Sequence, residues 1–237
     1  MTSDGHLIAM DNITKVYKTG KMHVEAFKGV DIRIGRGEFV AIIGPSGSGK
    51  STLMNIMGCL DMPTAGSYNL DGQPVADMPI HQLASIRNRK IGFIFQNFNL
   101  LPYATTFENV ELPLIFAGKP GQFRKERVID CLGRVGLVDW AEHKPTELSG
   151  GQMQRVAIAR SLANDPDIIL ADEPTGNLDS KSGREIIDLF EQLNAQGRSV
   201  VTITHDMTIA NRCHRIIRIR DGLIESETRN GIHESGN

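Results

Sequence analysis

The chain has 237 residues, a formal net charge of -2, 23% charged side chains and three cysteines. A balance this close to neutral excludes the strongly basic domain or stripe that marks a nucleic-acid-binding protein. Cys59, Cys131 and Cys213 are odd in number, far apart and without Cys-x-x-Cys spacing, which excludes a disulfide framework and a zinc site and fits a reducing compartment.

From the N-terminus, β-rich segments are predicted at Leu7 to Tyr17, Phe27 to Ile34 and Phe39 to Ile43, with a further strand at Gly66 to Leu70. The third of these runs into a glycine-rich loop, and a helical stretch follows from Thr52 to Cys59. The apolar run Ile91-Gly92-Phe93-Ile94-Phe95 predicts another strand, closed by Gln96. From Asn97 to about Ala163 the pattern turns helical, including the charged amphipathic stretch Gln122 to Val135. Strand and helix alternate again at Ile168, at Lys181 to Gln196 and at Ser199 to Ile203. Asp221-Gly222 predicts a hairpin, and the polar tail from Ser226 to Asn237 lacks apolar periodicity and is expected to be loose. The expectation is one α/β domain over 1–237, with a core and β subdomain at about 1–96 and 164–225 and a helical insertion at about 97–163.

Gly44-Pro45-Ser46-Gly47-Ser48-Gly49-Lys50-Ser51 matches G-x-x-x-x-G-K-S between a predicted strand and a predicted helix, the context that makes it a phosphate loop. Its glycines let successive backbone N–H groups turn toward phosphate oxygens, and the helix N-terminus adds partial positive charge. Lys50 is placed to hold the β and γ phosphates, Ser51 to offer its hydroxyl to Mg²⁺, and Thr52 to lie near the α phosphate. A second chemical element closes Ile168-Ile169-Leu170-Ala171, where Asp172 and Glu173 emerge at the C-terminal end of an apolar strand, the end at which open α/β sheets bind ligands. Asp172 would support the Mg²⁺ shell, and Glu173 would polarise a water for in-line attack on the γ phosphate. Leu148-Ser149-Gly150-Gly151-Gln152 then puts a serine and two glycines at the opening of the helical segment Gln152 to Ala163, a further anion site at a helix N-terminus.

Together these strings resemble the nucleotide-binding subunit of an ATP-binding cassette (ABC) transporter over nearly the whole chain. The resemblance implies an ATPase using ATP and Mg²⁺, built as a P-loop NTPase (RecA-like) core with an N-terminal antiparallel β subdomain and an inserted α-helical subdomain. It implies that Ser149, Gly150, Gly151 and Gln152 close over the γ phosphate of ATP held by a partner subunit, so that a complete site needs a homodimer formed on ATP binding. By the same resemblance Gln96 touches Mg²⁺ and the attacking water, and His205, after Val200-Val201-Thr202-Ile203-Thr204, contacts the γ phosphate. Asp179, in Asn177-Leu178-Asp179, belongs to a loop that crosses the dimer interface, and Tyr17 stacks on adenine. By residue type alone these positions read as a turn after a strand, a surface histidine, an N-cap for a helix near Ser180 and a strand-end tyrosine.

No apolar run exceeds five or six residues, far short of the ~20 that span a bilayer, and no leader pattern opens the chain. The expectation is a cytoplasmic protein, peripheral on the inner (plasma) membrane through a separate integral permease subunit. In the family, the region after Gln96, including Phe98, Leu100, Leu101, Tyr103 and Phe107, receives a helix of that subunit. The strings Gly58 to Thr64, Gln96 to Pro102 and Asn177 to Gly183 resemble the branch of macrolide exporters and lipoprotein-releasing ATPases, whose membrane partners carry large extracytoplasmic domains. The branch implies export or extraction of a drug, peptide or lipoprotein and admits a periplasmic adaptor reached through the membrane subunit. A cell-division-type relative that signals without transport shares the same motifs.

Overall fold

A computed structural model describes residues 5–20 and 22–230. Its elements in chain order are strands β1 (His6–Thr19), β2 (Met22–Gly35) and β3 (Phe39–Ile43), helix α1 (Lys50–Met57), strands β4 (Ala65–Leu70) and β5 (Gln73–Pro74), helix α2 (Ile80–Lys90) and strand β6 (Ile91–Ile94). There follow helices α3 (Thr106–Phe116), α4 (Gly121–Arg134) and α5 (Gly150–Leu162), strand β7 (Ile168–Asp172), helix α6 (Ser180–Ala195), strand β8 (Ser199–Ile203), helix α7 (Met207–Ala210) and strands β9 (Arg215–Arg220) and β10 (Leu223–Arg229). Contacts divide the chain into two compact units, Met1–Leu83 with Ser199–Asn237, and Ala84–Arg198.

In the first unit β1 pairs antiparallel with both β2 and β4. Ile8 and Met10 keep the two-residue period of a half-buried strand, and Ile13 breaks it while staying buried. The register shifts between Met10 and Ile13, and Asn12 takes φ 48, so a bulge returns Ile13 to the core face. Gly66 on β4 lies against that bulge with φ +101, where a Cβ would sit 2.5 Å from the Asn12 carbonyl oxygen. β3 is buried along its whole length between parallel partners β8 and β9. Burial on both faces accounts for its unbroken apolar sequence.

β9 turns into β10 through Asp221 (φ 49) and Gly222 (φ 76), the two positive-φ residues that a type I′ hairpin requires. β10 runs to Arg229, which corrects the expectation of a loose tail over 226–229; residues 231–237 lie outside the described residues. Glu227 accepts from Arg215 at 2.6 Å and Glu225 from Arg220 at 2.8 Å. Backbone pairing and cross-strand ion pairs order this strand, so apolar periodicity is not needed.

In the second unit β6 and β7 pair in parallel, with Ile91 opposite Ile168 and Ile94 opposite Ala171. Gly92 admits α5 against β6, since a Cβ there would lie 2.7 Å from the Ser161 carbonyl oxygen. α6 buries Ile186, Ile187, Leu189, Phe190 and Leu193, the stripe of an amphipathic helix with one packed face. α5 buries four consecutive residues, Val156 to Ala159, and is enclosed on most sides. Helix α2, where the boundary between the units falls, has no counterpart among the predicted elements. Its signals are Pro79 just ahead of it and Arg87, Arg89 and Lys90 in its last turn.

Candidate active site

The phosphate loop leaves β3 at Gly44 and closes on α1. Gly47 (φ 78) and Gly49 (φ 102) take left-handed backbones that curl the chain. A Cβ on Gly44 would lie 2.2 Å from the Ile219 carbonyl oxygen and 2.8 Å from Ser48 Oγ. Gly49 is the N-cap of α1 and supplies no side-chain acceptor. The N–H groups of Gly49, Lys50, Ser51 and Thr52 therefore make no hydrogen bond among the described residues. The Ser48 hydroxyl is buried and also without a partner among them. Lys50 Nζ folds over the loop and donates to the carbonyls of Gly44 and Pro45 at 2.8 and 2.9 Å. Open N–H donors, a buried hydroxyl and an ammonium make a cradle that fits a polyphosphate. Pro45, Ser46 and Gly47 form its exposed lip, and Ser51 presents an exposed hydroxyl of the kind a hard divalent cation takes.

Tyr17, near the end of β1, donates its hydroxyl hydrogen to Asp61 at 2.7 Å, and Lys15 lies with Nζ 4.8 Å from the ring centroid. Lys15 also bonds Asp61 at 2.6 Å and the Met62 carbonyl at 2.7 Å. Burial and then the bond to Asp61 push the Tyr17 phenol above its usual range, so it remains a donor at neutral pH. For Asp61, burial acts upward, but the bonds from Lys15 and Tyr17 outweigh it and hold the carboxyl below the usual range. The half-exposed ring is thus fixed at one edge and on one face, which suits stacking on a planar base. His205 follows β8 and is exposed. β8 pairs with β3 with Ile42 opposite Ile203, so His205 and Gly44 leave neighbouring strand ends.

In the second unit the register of β6 and β7 brings Gln96 and Asp172-Glu173 to the same C-terminal edge. Asp172 closes β7, and its half-buried carboxylate is the second hard oxygen donor the sequence points to for a divalent cation. Glu173 takes φ 44, a left-handed backbone that costs a non-glycine residue about 1–3 kcal/mol. The chain turns at once, with Gly176 N–H donating to the Glu173 carbonyl at 3.0 Å and Leu178 N–H to that of Thr175 at 3.0 Å. Gly176 leaves room for the Gln96 amide, whose Nε2 would lie 2.6 Å from a Cβ. Asn177 Nδ2 donates to the Gln96 carbonyl and to Asn97 Oδ1, each at 3.0 Å.

Ser149 is the N-cap of α5. Its Oγ accepts from Gln152 N–H at 3.3 Å, while its own N–H donates to Gln152 Oε1 at 2.9 Å. This capping box holds Gln152 by its side-chain oxygen, a use that the sequence reading did not assign to it. Gly150 and Gly151 pack closely on Leu178 and Ser182, with Cβ positions 3.4 Å from Leu178 Cδ2 and 3.0 Å from Ser182 Oγ. Asp179 caps α6 by accepting from Lys181 and Ser182 N–H at 2.9 and 3.0 Å, the role its residue type alone predicts. The Ser182 hydroxyl donates to its other oxygen, and these bonds hold the carboxyl below its usual range.

Three residues that sequence reasoning missed hold this unit's loops. Arg160 on α5 donates to the carbonyls of Phe98 and Asn99, which both have positive φ, and its burial lowers the guanidinium pKa. Asn109 on α3, fully buried, donates to the carbonyls of Leu101 and Ala104 at 3.2 Å and accepts from Leu101 N–H at 2.7 Å. Gln154 on α5 donates to the Pro174 carbonyl at 2.7 Å. No side-chain pattern in the sequence sets them apart: Gln154 lies between Met153 and Arg155, and Asn109 between Glu108 and Val110.

The family description "ABC transporter" matches residues 27–176. The chain is 54% identical to an uncharacterized ABC transporter ATP-binding protein of Thermotoga maritima, over 93% of this chain and 94% of that protein. It is 52% identical to the macrolide export ATP-binding/permease protein MacB of Bdellovibrio bacteriovorus, over 94% of this chain but 34% of that longer protein. Among solved structures it is similar to the dimeric ABC transporter cassette MJ0796 of Methanocaldococcus jannaschii, with TM-score 0.87 and 50% identity over 95% of this chain and 99% of that one. A dimer of the same cassette is known in a post-hydrolysis state bound to ADP and Pi, with the same TM-score and coverage. The chain belongs to the ABC transporter family and is one of its ATP-binding, ATP-hydrolysing cassettes.

Proposed function

We propose that this cassette powers export or extraction of a substrate of drug, peptide or lipoprotein type through a separate membrane permease. The observation that carries the reading is the pair of helix N-termini built for anions, α1 with its open N–H groups and α5 with its serine and two glycines. One phosphate loop and one Leu148-Ser149-Gly150-Gly151-Gln152 segment per chain support a homodimer in which each α5 addresses the nucleotide held by the other copy. The relatives named MacB join ATP-binding and permease functions in one chain, and this chain spans about a third of their length. In this reading a separate permease supplies the remainder. No helix among the described residues is long and apolar enough to cross a membrane. We place the cassette on the cytoplasmic face of the inner membrane, with an adaptor reached through the permease as a further partner.

In this reading Tyr17 stacks on adenine, and the loop from Gly44 to Thr52 binds the phosphates through its N–H groups, with Lys50 moving from the Gly44 and Pro45 carbonyls onto the β and γ phosphates. Ser51, Asp172 and Gln96 supply hydroxyl, carboxylate and amide oxygens for Mg²⁺, which when bound neutralises charge on the phosphates. Glu173 accepts a proton from the attacking water, and His205 steadies the γ phosphate. The partner's Ser149, Gly150 and Gly151 close the site, Gln152 holding Ser149 in place, while Asp179 shapes the loop at the interface. Glu173→Gln tests the scheme: it keeps the phosphate contacts and removes the base. Sized in solution, this variant should be monomeric without nucleotide and dimeric with MgATP; ATP hydrolysis at the wild-type rate would exclude Glu173 as the base.

A further inference from the structure

Glu173 stands in a backbone conformation that its own sequence opposes. A residue before proline is pushed by the ring toward extended backbone, yet Glu173, followed by Pro174, has φ 44. Such strain persists only where surrounding groups fix it. The turn bond from Gly176 N–H to the Glu173 carbonyl is one such group. Another comes from far along the chain. Gln154 is fully buried on α5, and its Nε2 donates to the Pro174 carbonyl at 2.7 Å. A carbonyl can only accept, so the amide is locked with nitrogen toward the turn. Its Oε1 is then left buried without a partner among the described residues. Burying an amide half satisfied is unfavourable, and an apolar side chain of the same shape would pack there without that penalty. The donor is the feature such a side chain would lack.

We propose that Gln154 is the positioning residue for Glu173: by holding the Pro174 carbonyl it fixes the turn that aims the water-activating carboxylate. It does so from the same helix whose N-terminus carries Ser149, Gly150 and Gly151, so a pull on that terminus by the partner's nucleotide reaches the Glu173 turn along one rigid element. The inference rests on the reading of Glu173 as the base.

The test uses the full chain and MgATP, with Gln154→Met made alone and in the Glu173→Gln background. With Glu173 intact, Gln154→Met should lower kcat by about 10- to 100-fold, the loss expected when a catalytic group is misplaced by about an ångström. KM for ATP should change by less than about twofold, because the phosphate contacts are untouched. In the Glu173→Gln background the same change should alter the residual rate by less than about twofold, since a group acting through Glu173 has nothing left to position. ATP-dependent dimerisation of the double variant shows that it is folded. An unchanged kcat for Gln154→Met beside an inactive Glu173→Gln, or the same fold loss in both backgrounds, overturns the proposal alone. A wild-type rate for Glu173→Gln overturns the base assignment and the proposal with it. If Gln154→Met is not recovered folded, Gln154→Asn keeps the amide, shortens its reach and carries the same expectations.

Discussion

Asn109→Ala removes a side chain whose work is entirely polar. Its amide joins the start of α3 to the loop 101–104: Oδ1 accepts from Leu101 N–H at 2.7 Å, and Nδ2 donates to the carbonyls of Leu101, Ala104 and Thr105. The Thr105 carbonyl is already served by the Asn109 N–H at 2.9 Å and the Leu101 carbonyl by the Ala104 N–H at 3.2 Å, so two partners, the Leu101 N–H and the Ala104 carbonyl, lose their only protein contact of this kind. At about 1 kcal/mol for each such bond, the variant should lose about 2 kcal/mol. That is a sizeable share of a total stability of ~5–15 kcal/mol, and at ~2–4 °C per kcal/mol for a chain this size it lowers the melting temperature by roughly 4–8 °C. Urea unfolding followed by circular dichroism gives the free energy. Hydrogen exchange at the Leu101 amide gives the local effect, which should accelerate by roughly 30-fold as the opening free energy falls by the same amount. A loss below about 1 kcal/mol with unchanged protection at Leu101 would refute the view that Asn109 organises the loop after Gln96.

Lys50→Ala should weaken ATP binding by at least about tenfold, the loss expected when charge-assisted hydrogen bonds worth ~1.5–3 kcal/mol disappear. Calorimetric titration with a non-hydrolysable ATP analogue measures it, and wild-type affinity would remove Lys50 from the phosphate site. Asp179 gives a pH test: its hydrogen bonds, that of Ser182 first, hold its folded pKa below the unfolded value. Its contribution to stability is therefore complete above the ordinary carboxylate pKa of about 3.9 and fades as pH falls through the lower folded value. Thermal unfolding of wild type and Asp179→Ala should differ at pH 7 and converge in strong acid; a constant gap would show that the carboxylate's charge plays no part in capping α6.

The elements legible in the sequence are those whose information is local. The phosphate loop spans consecutive residues, and its context needs only an apolar strand before it and a helix after it. Glu173 is legible for the same reason, at the end of an unbroken apolar strand. The residues that hold Glu173 and Gln96 in place are not. Gln154 acts on a carbonyl 20 positions away, and Arg160 on carbonyls more than 60 positions away. Every residue carries a carbonyl, so no side-chain pattern marks which one is the partner. Residues 226–229 fail differently, because an edge strand ordered by ion pairs to its neighbour has no apolar period to read.

The two anion-binding helix starts solve opposite problems. At α1 the N-cap is glycine, so no side chain competes for the first N–H groups and all of them remain for phosphate. That serves a nucleotide held within its own chain, where many donors add affinity. At α5 the N-cap is Ser149, and the capping box uses its hydroxyl oxygen as an acceptor and the Gln152 oxygen as a second one. A hydroxyl can accept and donate at once, so the box fixes the serine rotamer and leaves its O–H hydrogen free to point outward. The box also occupies the Gln152 N–H, leaving the Gly150 and Gly151 N–H groups beside that hydrogen. In the proposed dimer, a short set of pre-aimed donors would suit a surface that seizes a partner's γ phosphate and releases it after hydrolysis, because rigidity limits the ordering cost of each closure while few contacts keep release fast. Gln152→Ala should accordingly leave nucleotide binding by the chain's own phosphate loop unchanged and weaken ATP-dependent dimerisation of the Glu173→Gln protein. A dimer of undiminished stability would show that Ser149 needs no such support.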